Sequence, residues 1–98
     1  MKKKYHLEPP FNLFRDSDGW GDQGSMLNSI DPKTMGFKGK NGDVYLGCCI
    51  QCGSQHARTM QWQDWWLTTP IIEFISATDT EIRFKTKNSV YTLRGKDI

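Results

Sequence analysis

The clearest pattern in the chain is an alternation of apolar and charged residues over its last third. Pro70 opens the run Ile71-Ile72-Glu73-Phe74-Ile75, and Thr78-Asp79-Thr80 makes a turn. Ile82, Phe84 and Thr86 then alternate with Arg83 and Lys85; Lys87-Asn88 is a second tight turn, and Val90, Tyr91 and Leu93 follow. Successive side chains of a strand point to opposite faces, so this spacing predicts three antiparallel strands in a meander.

Upstream the pattern is looser. Lys40-Asn41-Gly42-Asp43 places Asn-Gly between two extended runs. Asn-Gly accepts positive φ at both turn positions, which predicts a two-residue hairpin joining residues 34–40 to residues 43–50. Alternation would then put Val44, Leu46, Cys48 and Ile50 on one face. A strand over 57–62 would put Met60 and Trp62 on one face, and 62–67 reads as strand or as a short helical turn. Tyr5 and Leu7 begin a short strand that Pro9-Pro10 ends. Phe11, Leu13 and Phe14 are apolar enough to dock on a core. Residues 16–24 have the composition of a loop. Ser25 is a helix N-cap for a short turn reaching Ile30, with Pro32 just beyond. No stretch reads as a helix of ten residues, and there is no internal repeat or long linker.

All three cysteines and one of the two histidines fall within nine residues, Cys48-Cys49-Ile50-Gln51-Cys52-Gly53-Ser54-Gln55-His56. A C-x2-C pair brings two thiolates to one point when the chain between them turns tightly, and glycines flank this one at Gly47 and Gly53. The spacing points to a zinc knuckle with Cys49 and Cys52 as ligands and His56 four residues on. The fourth place falls to Cys48, to His6 from the N-terminal segment, or to water. Cys48 can join only if the strand before it has ended, because neighbouring strand residues face opposite ways. The competing reading is three buried thiols acting as small hydrophobes. The fold class expected is therefore mainly β with little helix: one domain over residues 1–98, a small antiparallel barrel or curled sheet with a zinc-knuckle turn. A short chain has a marginal core, which a structural metal supplements.

Composition narrows the function. Thirteen Lys and Arg against eleven Asp and Glu give a formal charge of +2. That argues against both a strong polyelectrolyte grip on DNA and an acidic mimic of DNA. An odd cysteine number closes no disulfide framework, so reduced thiols in a cytoplasmic setting are expected. No apolar stretch of signal-peptide length follows Met1-Lys2-Lys3-Lys4, and none approaches the roughly 20 residues of a membrane helix. His56-Ala57-Arg58 has no glutamate to serve as the base of a zinc deaminase, and no H-E-x-x-H, phosphate loop or nucleophile elbow occurs. The chain is read as a non-enzyme.

Candidate contact residues remain. Trp62, Trp65 and Trp66 cluster beside Gln61, Gln63 and Asp64, and Trp20 lies in a glycine-rich loop. An exposed tryptophan anchors a partner or stacks on a base. Arg83, Lys85 and Lys87 alternate along one strand and line one outer face; their bland reading is an ordinary solvated surface. Trp20, Trp65, Trp66, Arg83, Lys85 and Lys87 are the expected partner-binding residues.

The short Trp-rich chain, its strand-turn-strand ending Phe84-x-Thr86-x-Asn88-Ser89-Val90-Tyr91, and the group Cys48, Cys49, Cys52 and His56 together resemble small phage and mobile-element proteins. The likeness is to zinc-bound anti-CRISPR proteins of the type II-A group, over about residues 43 to 94. It implies a non-catalytic inhibitor in the bacterial cytoplasm that binds the host's RNA-guided nuclease or its guide complex. Such an inhibitor blocks target DNA loading or cleavage, with zinc as structural support. The near-neutral charge directs it to a moving lobe or a surface the DNA passes, not to charge mimicry in the DNA channel. The alternative is a zinc-containing nucleic-acid-binding module that uses the aromatic cluster with Arg83, Lys85 and Lys87.

Overall fold

The computed structural model describes residues 2–53 and 66–96, with the backbone alone at Trp66. These residues form strands and turns with no helix. The strands are β1 (Lys4–His6), β2 (Phe11–Arg15), β3 (Gly21–Gly24), β4 (Met26–Ile30), β5 (Phe37–Lys38) and β6 (Asp43–Tyr45). They continue as β7 (Cys49–Gly53), β8 (Trp66–Leu67), β9 (Ile71–Ala77), β10 (Glu81–Thr86) and β11 (Val90–Arg94). All pair antiparallel, in a five-stranded sheet of order β3-β2-β11-β10-β9, a four-stranded sheet β5-β4-β7-β8 and a ribbon β1-β6. The mainly β expectation holds at this level, and the sheets do not close into a barrel.

The C-terminal meander follows its alternation. Ile82, Phe84 and Thr86 on β10 and Tyr91 and Leu93 on β11 are buried, while Lys85 and Arg94 are exposed. The Phe84 and Tyr91 rings stack 5.3 Å apart. Leu13 of β2 joins them, and Leu27, Ile50 and Cys52 from β4 and β7 meet them in one core cluster. Tyr5 closes it edge-on to Phe74 at 4.9 Å. As the alternation at Tyr5 and Leu7 suggests, β1 is a short strand, and Leu7, Phe11 and Leu13 are core residues.

Three segments differ from the pattern. Ser25–Ile30 is not a helical turn; Met26–Ile30 pairs with β7 from Met26↔Gly53 to Ile30↔Cys49. A six-residue segment cannot repay helix nucleation, whereas β7 offers it a full ladder. Residues 21–24, loop-like in composition, form the edge strand β3 against β2. The Asn-Gly turn forms, with Asp43 N donating to Lys40 O at 3.0 Å and Gly42 at φ +94°, but its flanking strands do not pair with each other. Instead β5 pairs with β4 and β6 with β1. The turn is docked elsewhere: Asn41 Oδ1 accepts from Leu27 N at 2.7 Å, and its amide donates to Ser25 O at 3.0 Å. Gly42 N donates to Leu27 O, and its carbonyl accepts from Leu7 N. Asn41 thus ties the turn to the Ser25 carbonyl and to the Leu27 amide of β4.

Candidate functional site

The cysteine segment is a strand where the spacing predicts a knuckle. A turn at Tyr45–Cys48, with Cys48 N donating to Tyr45 O at 3.2 Å and Gly47 at φ +86°, separates β6 from β7. Val44, Leu46, Cys48 and Ile50 therefore do not lie on one continuous strand, and Leu46 is exposed at the turn. From Cys49 to Gly53 the register with β4 is unbroken. Residues three apart on a regular strand face opposite sides, so Cys49 and Cys52 cannot bring their sulfurs together without breaking that ladder. Cys52 lies in the main core, fully buried, and its thiol donates to Asp22 O at 3.7 Å. Cys48 and Cys49 are also buried, and burial pushes both thiols up. Among the described residues no group of three metal-ligating side chains comes together. His6, the alternative ligand, is engaged elsewhere: its Nδ1 donates to Asp43 Oδ1 at 2.7 Å, and its Nε2 faces Glu8. His56, Trp62 and Trp65 lie outside the described residues, as does the strand expected over 57–62. Trp66 is seen as backbone paired with Cys52. The three described cysteines are buried thiols.

Four of the sequence-picked contact residues come to one end of the five-stranded sheet. The β2–β3 turn and the β10–β11 turn both lie there, because β2 ends opposite the start of β11 at Arg15↔Tyr91 and β10 ends beside it at Lys85↔Val90. Trp20 projects from the first turn with 59% of its surface exposed. The turn is tied from within. Arg15 donates two bonds to Asp18, from Nε at 3.0 Å and Nη2 at 2.7 Å. Asp18 Oδ1 also accepts from Trp20 N at 3.0 Å, and Arg15 N donates to Trp20 O at 2.8 Å. The Arg15 bonds, then the Trp20 amide, hold the Asp18 carboxyl down to about 2. A large aromatic ring thus stands in solvent on a backbone that is already ordered.

The second turn adds the cations. Arg83 donates to Asp16 Oδ2 at 2.6 Å, and Thr92 to Asp16 Oδ1 at 2.7 Å. Burial opposes ionisation of Asp16, but these bonds outweigh it and keep its carboxyl below the usual range. Asp16 and Ser17 share an open groove of about 520 Å3 with Arg83, Lys85, Lys87, Asn88 and Ser89. Arg83 is spent on Asp16, which leaves Lys85 and Lys87, both exposed and outside every ion pair among the described residues, as its available cations. Arg94 is likewise paired with Glu81, at 2.9 Å.

Sequence reasoning missed a second surface, on the β1–β6 ribbon. Lys4 faces Tyr45 and His6 faces Asp43 in register, so all four share the side opposite the core residues Tyr5 and Val44. Lys38 of β5 reaches in from the neighbouring sheet. The ammonium groups of Lys4 and Lys38 lie 5.4 and 4.8 Å from the Tyr45 ring centroid. Asp43 is buried and saturated by His6, the Lys40 amide at 3.0 Å and Lys4 at 3.6 Å. The Lys4/His6 alternation was a visible signal, but which strand would pair with it was not.

No protein-family model matches this chain, and neither curated proteins nor solved structures give a match. The geometry alone carries the functional reading.

Proposed function

We propose that this chain acts by binding, as a non-catalytic inhibitor of a larger protein, in the way its resemblance to anti-CRISPR proteins implies. The partner in this reading is a type II-A RNA-guided nuclease or its guide complex, and the effect is to block target DNA loading or cleavage. The observation that carries the binding mode is Trp20, exposed on a turn fixed by Arg15 and Asp18. A tryptophan ordered before contact loses little entropy on docking, and such residues dominate interface energetics. Lys85 and Lys87, at the same end of the five-stranded sheet, suit an acidic surface on the partner around the contact. The near-balanced charge supports contact with a protein lobe over filling of a DNA channel. Zinc enters this reading as the structural support that the resemblance implies.

The test is to saturate a guide-loaded type II-A nuclease with the purified chain and measure target DNA binding and cleavage. Loss of either supports the proposal. Unchanged loading and unchanged cleavage would end it.

A further inference from the structure

The Asn41-Gly42 turn carries a chemical reactivity that its hydrogen bonds hold in check. In an Asn-Gly pair the main-chain nitrogen of glycine attacks the side-chain amide carbon of asparagine, because glycine has no Cβ to shield that nitrogen. The nitrogen gives its proton to a base from the solvent. The bond from Gly42 N to Asn41 Cγ forms, the Cγ–Nδ2 bond breaks, and ammonia leaves. The cyclic imide that results takes up one water. Opening at Cγ gives aspartate. Opening at the main-chain carbonyl gives isoaspartate, whose backbone runs through the side chain and is longer by a methylene group. The balance is one water in and one ammonia out, with nothing oxidised or reduced.

The fold demands this pair and at the same time blocks its reaction. Glycine is required at 42, where φ is +94° and an added Cβ would run into the Leu7 carbonyl. Position 41 uses both an acceptor and a donor: Oδ1 accepts from Leu27 N at 2.7 Å, and Nδ2 donates to Ser25 O at 3.0 Å. A carboxylate there could make only the first of these bonds. The attacking nitrogen is shielded, since Gly42 is buried and its N–H donates to Leu27 O at 3.0 Å. Attack also has to come from above the plane of the carboxamide, and the bonds to Leu27 and Ser25 hold that plane by its edges. Asn41 itself is exposed, so water and the departing ammonia have a free path. What prevents the reaction is the set of three hydrogen bonds, which must break together when the turn lifts from Ser25 and Leu27.

The same turn pins together segments that share no ladder. Gly42 O accepts from Leu7 N at 3.0 Å, just beyond β1, and Asp43 O accepts from Ser29 Oγ of β4 at 2.8 Å. Aspartate at 41 would set a carboxylate oxygen against the Ser25 carbonyl. Isoaspartate would lengthen the chain between Lys40 and Gly42 and move Gly42 off Leu27 and Leu7.

We infer that Asn41-Gly42 is a self-modification site, closed in the folded chain and opened when the turn lifts from β4, and that its conversion to aspartate or isoaspartate loosens this corner irreversibly. Each opening that leads to reaction is thereby recorded in the covalent structure. The inference involves neither Trp20 nor the lysines of the β10–β11 turn and does not rest on the inhibitor reading.

The experiment incubates the full chain at mildly alkaline pH, folded in buffer and unfolded in guanidinium chloride. Proteolytic peptides are then separated and weighed to follow aspartate and isoaspartate at position 41. Conversion is expected in the unfolded chain and at least about tenfold more slowly in the folded one, because local opening limits it. Gly42→Ala, measured only in the unfolded state where its folding defect has no bearing, is expected to slow conversion at least about fivefold. Asn41→Asp, which is one of the two products, is expected to lower the thermal midpoint by about 4 °C or more. The rate comparison is made on the wild-type chain and stands whether or not that variant folds. Equal rates in the folded and unfolded chains, no conversion at Asn41 in the unfolded chain, or an Asn41→Asp midpoint equal to that of the wild type would each overturn the inference.

Discussion

Single residues decide most of what holds this chain in shape. Cys52 is a core residue with a satisfied thiol, and its contribution is packing. Replacement by serine puts a hydroxyl into that apolar site and should lower stability by about 1–3 kcal/mol in a denaturant melt. Asp18 makes a pH-dependent contribution whose sign is fixed. Its folded carboxyl is held from 3.8 down to about 2 by Arg15, so the stability it adds is present above the ordinary carboxylate range. That stability is lost as pH falls through roughly 4 to 2, because the unfolded chain takes up its proton first. Asp16 and Asp43, also depressed, act in the same direction. A carboxyl titration followed by NMR should place the Asp18 midpoint near 2, and Arg15→Ala should return it towards about 4. The residue types at the Trp20 turn were legible in the sequence, whereas the bonds that fix it were not. Likewise the C-x2-C spacing was plain, but spacing cannot tell a turn from a strand when the pairing partners lie far away in the chain, as Leu27 does from Cys52 and Ile30 from Cys49.

Among the elements, those with local partners were readable and those with distant partners were not. The β9–β10–β11 meander follows its own alternation because each strand pairs with the next. Even there β9 departs from strict alternation. Register shifts against β10 leave Ile72 and Ile75 as the extra residues of two bulges, so Ile71 and Phe74 point in while both other isoleucines are exposed. Bulges on an edge strand also discourage pairing with another chain. Phe74→Ala should therefore cost about 3–5 kcal/mol, and Ile75→Thr should stay within about 0.5 kcal/mol, although simple alternation treats position 75 as the inward one. The Asn41-Gly42 turn gives a second check. At Gly42 φ is +94°, and an added Cβ would run into the Leu7 carbonyl. Gly42→Ala should lower stability by about 2 kcal/mol or more, read as a shift of the thermal midpoint.

At the scale of the whole molecule, three sheets place two chemically different surfaces apart. One end of the five-stranded sheet presents Trp20 with Lys85 and Lys87, and the β1–β6 ribbon presents Tyr45 flanked by Lys4 and by Lys38 of β5. The mainly β class was written in the composition and the alternation. The arrangement of the sheets was not, since β1 pairs with β6 and β4 with the fully buried β7 across long stretches of chain and not by adjacency. The central claim is that the molecule works by docking the ring of Trp20 into a partner. Its most direct test compares wild type and Trp20→Ala, matched in thermal midpoint, as inhibitors of target cleavage by the guide-loaded nuclease. The account predicts inhibition by the wild type and a loss of at least about thirtyfold in potency for the variant, the scale of an interface hot spot. Equal potency of the two proteins would contradict it.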